Sequence, residues 1–360
     1  MSEKKERDWA TLREICDEIG LVEEAETGRR IRKTVCFSSM DALFCGAYQF
    51  VEFFEQLHRK GMVYDGNRTD GFMFCLQTGE MVYHRPEKDL VEINEFLAPE
   101  LVEQIRAGES PQQLSFTEET DRYFIAVFLF EYFFHTGSPF EGKKMVNRCF
   151  LSPLEKEWYR AEQGQFCMDI GENNNTPVKG IQDKLMHYWE EYPDILKKIF
   201  QRAFMDGGIL CELRPTEVDW KQTLVKMMMD YQICGCGFQG FSSRLQPREN
   251  GTLVCPRCGR TYYVLSNGMD QILLAEGTKL YECQTGRDAF DKDTVTALVV
   301  ENRQKKKLYG IKNISQGVWR GLFPDGTVRE IKKGQGIPIW NGMTLRFETG
   351  EDWSLRLISK

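Results

Sequence analysis

Between Tyr123 and Phe134 the chain runs Tyr-Phe-Ile-Ala-Val-Phe-Leu-Phe-Glu-Tyr-Phe-Phe, and Glu131 is its only charge. A helix that is apolar all round must be walled on every side, by a protein core or by lipid. Crossing a bilayer takes roughly 20 apolar residues, so this shorter segment predicts the central helix of a soluble helical domain. Other segments supply candidate walls. Ala47, Phe50, Val51, Phe54 and Leu57 recur at helical spacing, as do Leu185, Trp189, Ile195, Leu196, Ile199, Phe200 and Phe204. Up to about Asp230 the chain therefore reads as mainly α.

From Cys234 the texture changes to short runs rich in Val, Ile, Thr, Tyr and Trp. Turn pairs such as Asp325-Gly326 and Asn341-Gly342 separate them and supply the positive φ of tight turns. Leu322-Phe323, Thr327 to Ile331, Ile337 to Trp340, Leu345 to Phe347 and Trp353 to Ile358 read as consecutive antiparallel strands. Asn173 to Pro177 and Asn302 to Lys307 read as loops. At 360 residues the chain exceeds the roughly 250 at which single cores stop growing, which predicts several domains.

A formal charge of −7 repels nucleic acid and anionic lipid as a whole-molecule field. The charged start, Met-Ser-Glu-Lys-Lys-Glu-Arg-Asp, lacks the apolar segment of a secretion signal, and a cytoplasmic location with no membrane or nucleic-acid partner is expected. Most of the cysteines stand singly in apolar or helical surroundings, as small buried thiols do in a reducing cell.

Four cysteines are clustered: Cys234-Gly-Cys236-Gly and, after eighteen intervening residues, Cys255-Pro-Arg-Cys258-Gly. Four thiolates can surround Zn²⁺ tetrahedrally, and the glycine after each pair allows the tight turn that aims both sulfurs at one ion. Cys-x-Cys is tighter than the usual Cys-x2-Cys, which leaves one ligand of the first pair open to displacement; the metal-free alternative is four reduced structural cysteines. A piece of such small size has little core, and bound zinc supplies on the order of 10–16 kcal/mol of folding free energy. With four protein ligands no position stays open for water, so the site is expected to be structural. Arg244, Arg248, Arg257 and Arg260 lie nearby and are read as a solvated face, with zinc-dependent nucleic-acid binding the less favoured alternative.

Several motifs of the helical part stand in a familiar order. Leu57-His58-Arg59-Lys60-Gly61-Met62-Val63-Tyr64 resembles the end of the long helix before the catalytic loop of protein kinases. Ala98-Pro99-Glu100 resembles the kinase Ala-Pro-Glu motif, and Asp121 with Phe124 to Glu131 the buried αF helix, followed by a turn at Thr136 to Phe140. Arg214-Pro215-Thr216, with Trp220 and Leu224, resembles the segment closing the kinase C-lobe. With Asn175-Thr176-Pro177, Trp189, Ile199 to Phe204 and the cysteine pairs, these residues resemble a bacterial kinase-like family that carries a zinc ribbon. That family often accompanies von Willebrand A-type proteins and metal-dependent Ser/Thr protein phosphatases. The resemblance implies a bidentate, largely buried ion pair between Glu100 and Arg214. It also implies that Asp121 accepts hydrogen bonds from backbone near Tyr64 to Gly66.

The phosphotransfer chemistry does not carry over. It needs a base Asp, an Asn and a second Asp to hold Mg²⁺, a Lys on the phosphates and a Gly-rich loop. Counted from Leu57, these positions fall on Gly66, Gly71 and Arg85. Allowing a one-residue gap makes Asp65 the base and Asp70 the metal ligand, an active kinase or nucleotide-dependent transferase being the alternative; Asp89 lies too far downstream to complete it. A kinase N-lobe takes roughly 80 residues, a small domain in its own right. Only about 36 precede the first C-lobe helix, and they hold an expected helix from Trp9 to Ile19. Lys33 stands among Arg29, Arg30 and Arg32 with no Gly-rich loop before it.

The last segment, with Lys312-Asn313-Ile314-Ser315, Trp319 and Pro324-Asp325-Gly326, resembles a degenerate forkhead-associated domain. Such domains grip phosphothreonine with Arg and Ser on neighbouring loops, and Arg287 is the weak match to that Arg. The fold class expected is multidomain: a 1–36 N-terminal helical segment, a mainly α kinase-like C-lobe at 37–230, a zinc ribbon at 231–266 and an all-β antiparallel sandwich at 267–360. The function expected is that of a pseudokinase, a non-catalytic scaffold working through protein contacts in a bacterial phosphorylation pathway.

Overall fold

The computed structural model describes residues 9–23, 30–86, 91–169, 174–302, 308–348, 350 and 352–355. Arg29, Asp89, Asn173, residues 303–307 and the strand end at 356–358 lie outside the described residues. The chain forms two units, Met1–Leu224 and Val225–Lys360, and the division falls within the helix Glu217–Asp230. Helices dominate the first and antiparallel sheets the second. Among the described residues no helix is long and apolar enough to cross a membrane.

The first unit contains four helices needed below, α1 (Leu12–Asp17), α2 (Met40–Arg59), α3 (Pro99–Arg106) and α4 (Glu118–Phe134). Every residue of α4 from Tyr123 to Phe134 is buried. Thr117 caps its start by accepting from the Thr120 N–H, and the acidic first turn suits the positive end of the helix dipole. Each face of α4 meets a different wall. Phe128 stacks on Phe50 of α2 with centroids 3.8 Å apart, and Phe54, Phe72 and Phe124 close around them. On the other side Phe130 meets Phe166, Phe200 and Phe204, and Phe134 meets Trp189 and Tyr192. Phe166 follows the helix Pro153–Gln163, and the other partners come from the helices Asp183–Glu191 and Asp194–Gln201 and the residues just after them.

The N-terminal segment departs from the expected single helix over Trp9 to Ile19. Trp9–Thr11 is a strand, β1; α1 occupies only Leu12–Asp17; and Ile19–Glu23 (β2) pairs with Arg30–Thr34 (β3). Two local features set these limits. Thr11 and Glu14 form a capping box that starts the helix at Leu12, and Glu18 takes a left-handed φ of 54° that ends it. The third is tertiary: β1 adds antiparallel to Phe72–Cys75 (β4), which pairs in turn with Met81–Tyr83 (β5). This pairing buries Ala10, and α1 packs Leu12 and Ile15 into the core.

The second unit opens with Tyr231–Ile233 (β6) paired to Gln239–Phe241 (β7). The strands Gln246–Pro247 (β8), Leu253–Val254 (β9), Thr261–Ser266 (β10) and Gln271–Leu274 (β11) follow, then Lys279–Tyr281 (β12), Val295–Glu301 (β13) and Tyr309–Asn313 (β14). Trp319–Leu322 (β15), Val328–Ile331 (β16), Gly336–Pro338 (β17), Thr344–Arg346 (β18) and Asp352–Leu355 (β19) complete it. One sheet runs β16-β15-β18-β19-β10-β9-β8 with β11 added on β10; a second runs β12-β13-β14-β17. Leu265, Leu280, Val299, Ile311, Trp319, Ile337 and Leu345 come from both sheets and share one core.

The late strands are not a simple meander. β15 and β16 form the hairpin that Asp325-Gly326 predicts, with Gly326 at φ 83°. Asn341-Gly342, by contrast, joins strands of different sheets, because β17 pairs with β14 while β18 pairs with β15 and β19. Strand β10 pairs at its start with β9 and at its end with β19, so the cysteine-bearing region and the C-terminal strands share a sheet. Replacing Phe128, which is fully buried in the first unit, by Ala removes an aromatic wall that α2 and α4 share. We expect a loss of ~3–5 kcal/mol in urea unfolding monitored by circular dichroism.

Candidate functional site

The loop between α2 and β4 carries Asp65 and Asp70, the two residues named from sequence as alternative base and metal ligand. Its carboxylates are paired with arginines. Arg85, just past β5, donates to both oxygens of Asp65, at 3.2 and 2.9 Å. Arg68 grips Asp70 with two nitrogens and lies 3.1 Å from Glu92. The Arg68 contact holds the Asp70 carboxyl below its usual range. Asp65 and Asp70 are thus each held on a cation. Beneath them Asn67 is buried; its amide donates to Glu92 O and Asn94 Oδ1, and its Oδ1 accepts from the Glu92 N–H. Asn67 therefore pins this loop to the segment before α3, a role that a loop Asn does not announce in sequence.

Glu100 opens α3 and Arg214 follows the short 3-10 turn Cys211–Leu213. Arg214 donates to both Glu100 oxygens at 2.6 and 2.9 Å, and further to Glu119 O and Gly207 O. The guanidinium is buried, whereas the Glu100 side chain keeps 34% exposure, so the pair is bidentate but only half sheltered from water. The ring of Tyr123 on α4 has two guanidinium groups near it, Arg214 at 5.2 Å and Arg160 at 5.4 Å. Arg160, on the helix Pro153–Gln163, is buried with Glu157 and donates to Glu157, to the Tyr123 hydroxyl and to Leu97 O. The Glu157–Arg160 spacing reads in sequence as an ordinary surface pair; nothing local marks its burial.

Asp121 accepts from the Tyr64 N–H at 2.8 Å, within the stretch that the kinase resemblance implies. The same oxygen lies 2.8 Å from His58 Nε2, and His58 Nδ1 lies 3.3 Å from Glu217 as a charge contact outside hydrogen-bond geometry. Burial disfavours a charged His58, but the contacts with Asp121 and Glu217 outweigh it and raise the imidazole to about 9. Burial lifts Asp121 to about 6 against the pull of His58, while contact with His58 overcomes burial at Glu217 and lowers it. The cluster is an imidazolium between two carboxylates that ties together the end of α2, the start of α4 and the helix Glu217–Asp230. His58 belongs to the quoted kinase-like stretch, but its charge state depends on two residues far along the chain.

The four clustered cysteines come together in the second unit. Their sulfurs all lie within 4.8 Å of one another, with Cys234 to Cys258 and Cys236 to Cys255 each at 3.6 Å. A tetrahedral ion with metal–sulfur bonds of about 2.3 Å spaces its sulfurs by about 3.8 Å, so the set fits one metal ion and is far too open for disulfides. Gly237 and Gly259, each one residue after a cysteine pair, take φ of 86° and 72°, the left-handed turn that brings both pairs to a common centre. Leu245, Tyr262, Val264 and Leu273 pack with Cys234 and Cys255 into a small core. Arg287, exposed beside Glu282 and Asp288, is not gathered with any other expected site residue.

Compared with models of known protein families the chain matches none, and no curated protein matches it. Geometry therefore carries the interpretation. The raised His58 has a pH signature whose sign follows from linkage. Its contribution to stability is fully present below the unfolded value of 6.5 and is lost as pH rises through about 9. Guanidinium unfolding of wild type and His58→Gln from pH 6 to 10 should show a gap that narrows by about 3 kcal/mol across that window.

Proposed function

We propose that the chain is a non-catalytic adaptor whose first unit keeps the architecture of a protein-kinase C-lobe and has given up its chemistry. One observation carries this reading: Arg85 and Arg68 pair with Asp65 and Asp70, the two carboxylates that a rearranged phosphotransfer loop would need free as base and metal ligand. The structural interactions that the kinase resemblance implies have counterparts in Glu100–Arg214 and in Asp121 with the Tyr64 N–H, which supports retention of a scaffold. In this reading the second unit adds a structural zinc ribbon and a forkhead-associated-like β module, and the partners are proteins, von Willebrand A-type or metal-dependent Ser/Thr phosphatases.

Cys234, Cys236, Cys255 and Cys258 would hold the zinc, filling all four of its positions with thiolate and leaving none for a reacting water. Bound zinc would supply folding free energy to a region whose own core is a few side chains. Elemental analysis should find one zinc per chain in protein purified without chelator. Cys255→Ser should lose it, and far-UV circular dichroism should report a less stable second unit.

The adaptor reading predicts that ATP with Mg²⁺ leaves the thermal melting of the full chain unchanged, since a ligand that binds only the native state raises apparent stability. It also predicts a stable complex with a purified von Willebrand A-type or phosphatase protein encoded beside it. A Tm rise with ATP and Mg²⁺ that Asp70→Ala abolishes would favour an active enzyme instead, and failure of every such pairing in analytical size exclusion would count against the adaptor.

A further inference from the structure

We propose that the outer edge of β16 takes an acidic, extended segment of a partner protein as an added β-strand. The inference rests on the adaptor reading and assigns it a surface. It starts from sheet order, in which β16 is terminal and pairs only with β15 among the described residues. In the hairpin the Phe323 N–H donates to Thr327 O. Alternation along an antiparallel ladder then turns Arg329 and Ile331 toward β15, leaving Val328 and Glu330 with backbone N–H and C=O directed outward. A row of such groups is a template for another strand.

Edges of this kind are commonly blunted by proline. Two other terminal strands of the unit are: Pro247 lies in β8 and Pro338 in β17. β16 holds no proline. Beside its open edge lies exposed apolar surface. Val328 and Leu322 face each other across the hairpin at 62% and 45% exposure, and Trp340 is 58% exposed on a turn that abuts the same hairpin loop. There a β-carbon added at Gly342 would meet Pro324 Cγ at 3.3 Å. Strand addition draws affinity from main-chain hydrogen bonds and specificity from alternate side chains, and this edge offers both.

Charge selects the occupant. From Trp319 to Lys333 the cations Arg320, Arg329, Lys332 and Lys333 outnumber the anions Asp325 and Glu330 by two, in a chain whose formal charge is −7. Lys332, Lys333 and Arg329 are exposed, and Arg329 lies 5.1 Å over the Phe323 ring at the rim of the edge. This local excess opposes pairing with a second copy of the same edge and favours an acidic strand.

The test uses the full chain and a fluorescein-labelled decapeptide of alternating Glu and Val, followed by fluorescence anisotropy, with the matching Lys–Val peptide as control. Saturable binding of the acidic peptide is expected, on the order of tenfold tighter than the control and weakened by added salt. Val328→Pro removes one outward N–H, and the double variant K332E/K333E reverses exposed charge without touching the core. Each should weaken binding on the order of tenfold, with an unchanged Tm showing that the fold is kept. No binding of the acidic peptide, equal binding of both peptides, or indifference to both variants would overturn the proposal. So would a dimer in sedimentation velocity that Val328→Pro dissolves, because the edge would then hold a second copy. A partner complex that survives both variants removes the edge proposal and leaves the adaptor standing; peptide binding at the edge with no partner complex does the reverse.

Discussion

A helix with no polar face can exist in water only inside a complete shell, and α4 is such a helix. Its need for walls organises the first unit. Phe124 and Phe128 draw in α2 and β4, and Phe130 and Phe134 draw in the later helices. Even the N-terminal strand belongs to this shell, because β1 extends the β4–β5 hairpin whose Phe72 and Phe74 lie against Phe128.

Polar groups at the margins of α4 turn that shell into a framework with defined joints. Asp121 in the first turn holds the Tyr64 backbone and His58, and the Tyr123 ring contacts the guanidinium groups of both Arg160 and Arg214. Buried charges of this kind are tolerable only when paired and hydrogen-bonded, and each removed partner leaves the other stranded. The same pairing acts differently at the loop above. There Asp65 and Asp70 are exposed carboxylates held by Arg85 and Arg68, so the loop presents ion pairs rather than open anions. The adaptor proposal follows from that contrast between retained joints and neutralised loop.

In the second unit a comparable economy holds with fewer residues. The cysteine-bearing turns bury little on their own, yet β10 leads from them into the sheet that carries β19, β18 and β15. The four-cysteine cluster and the two-sheet core are therefore continuous through one strand, so the expected boundary between a ribbon at 231–266 and a sandwich at 267–360 falls at the end of β10 rather than between two separate sheets. The hairpin β15–β16 closes the opposite end of that sheet, where the open edge lies.

The helical stretch of α4, the Phe50–Phe54 face of α2, the change of texture near Cys234 and the four-cysteine cluster were legible from sequence because each rests on local period or spacing. The β1–α1 split was legible only in part: Thr11 and Glu14 mark a helix start, but the apolar spacing of Leu12 and Ile15 also fits a longer helix, and only pairing with β4 draws Trp9–Thr11 into a strand. Nor was the transfer of β17 to the second sheet, since a turn pair specifies a reversal and not the neighbour on its far side. Residue type and order determined which segments had to be buried and which could turn. Only the tertiary structure decided which charges meet outside the pair that the resemblance implied, as in His58 with Glu217, or Arg85 with Asp65, 20 residues apart. A Coulombic pairing depends on distance in space, and that distance exists only once the apolar shell has closed.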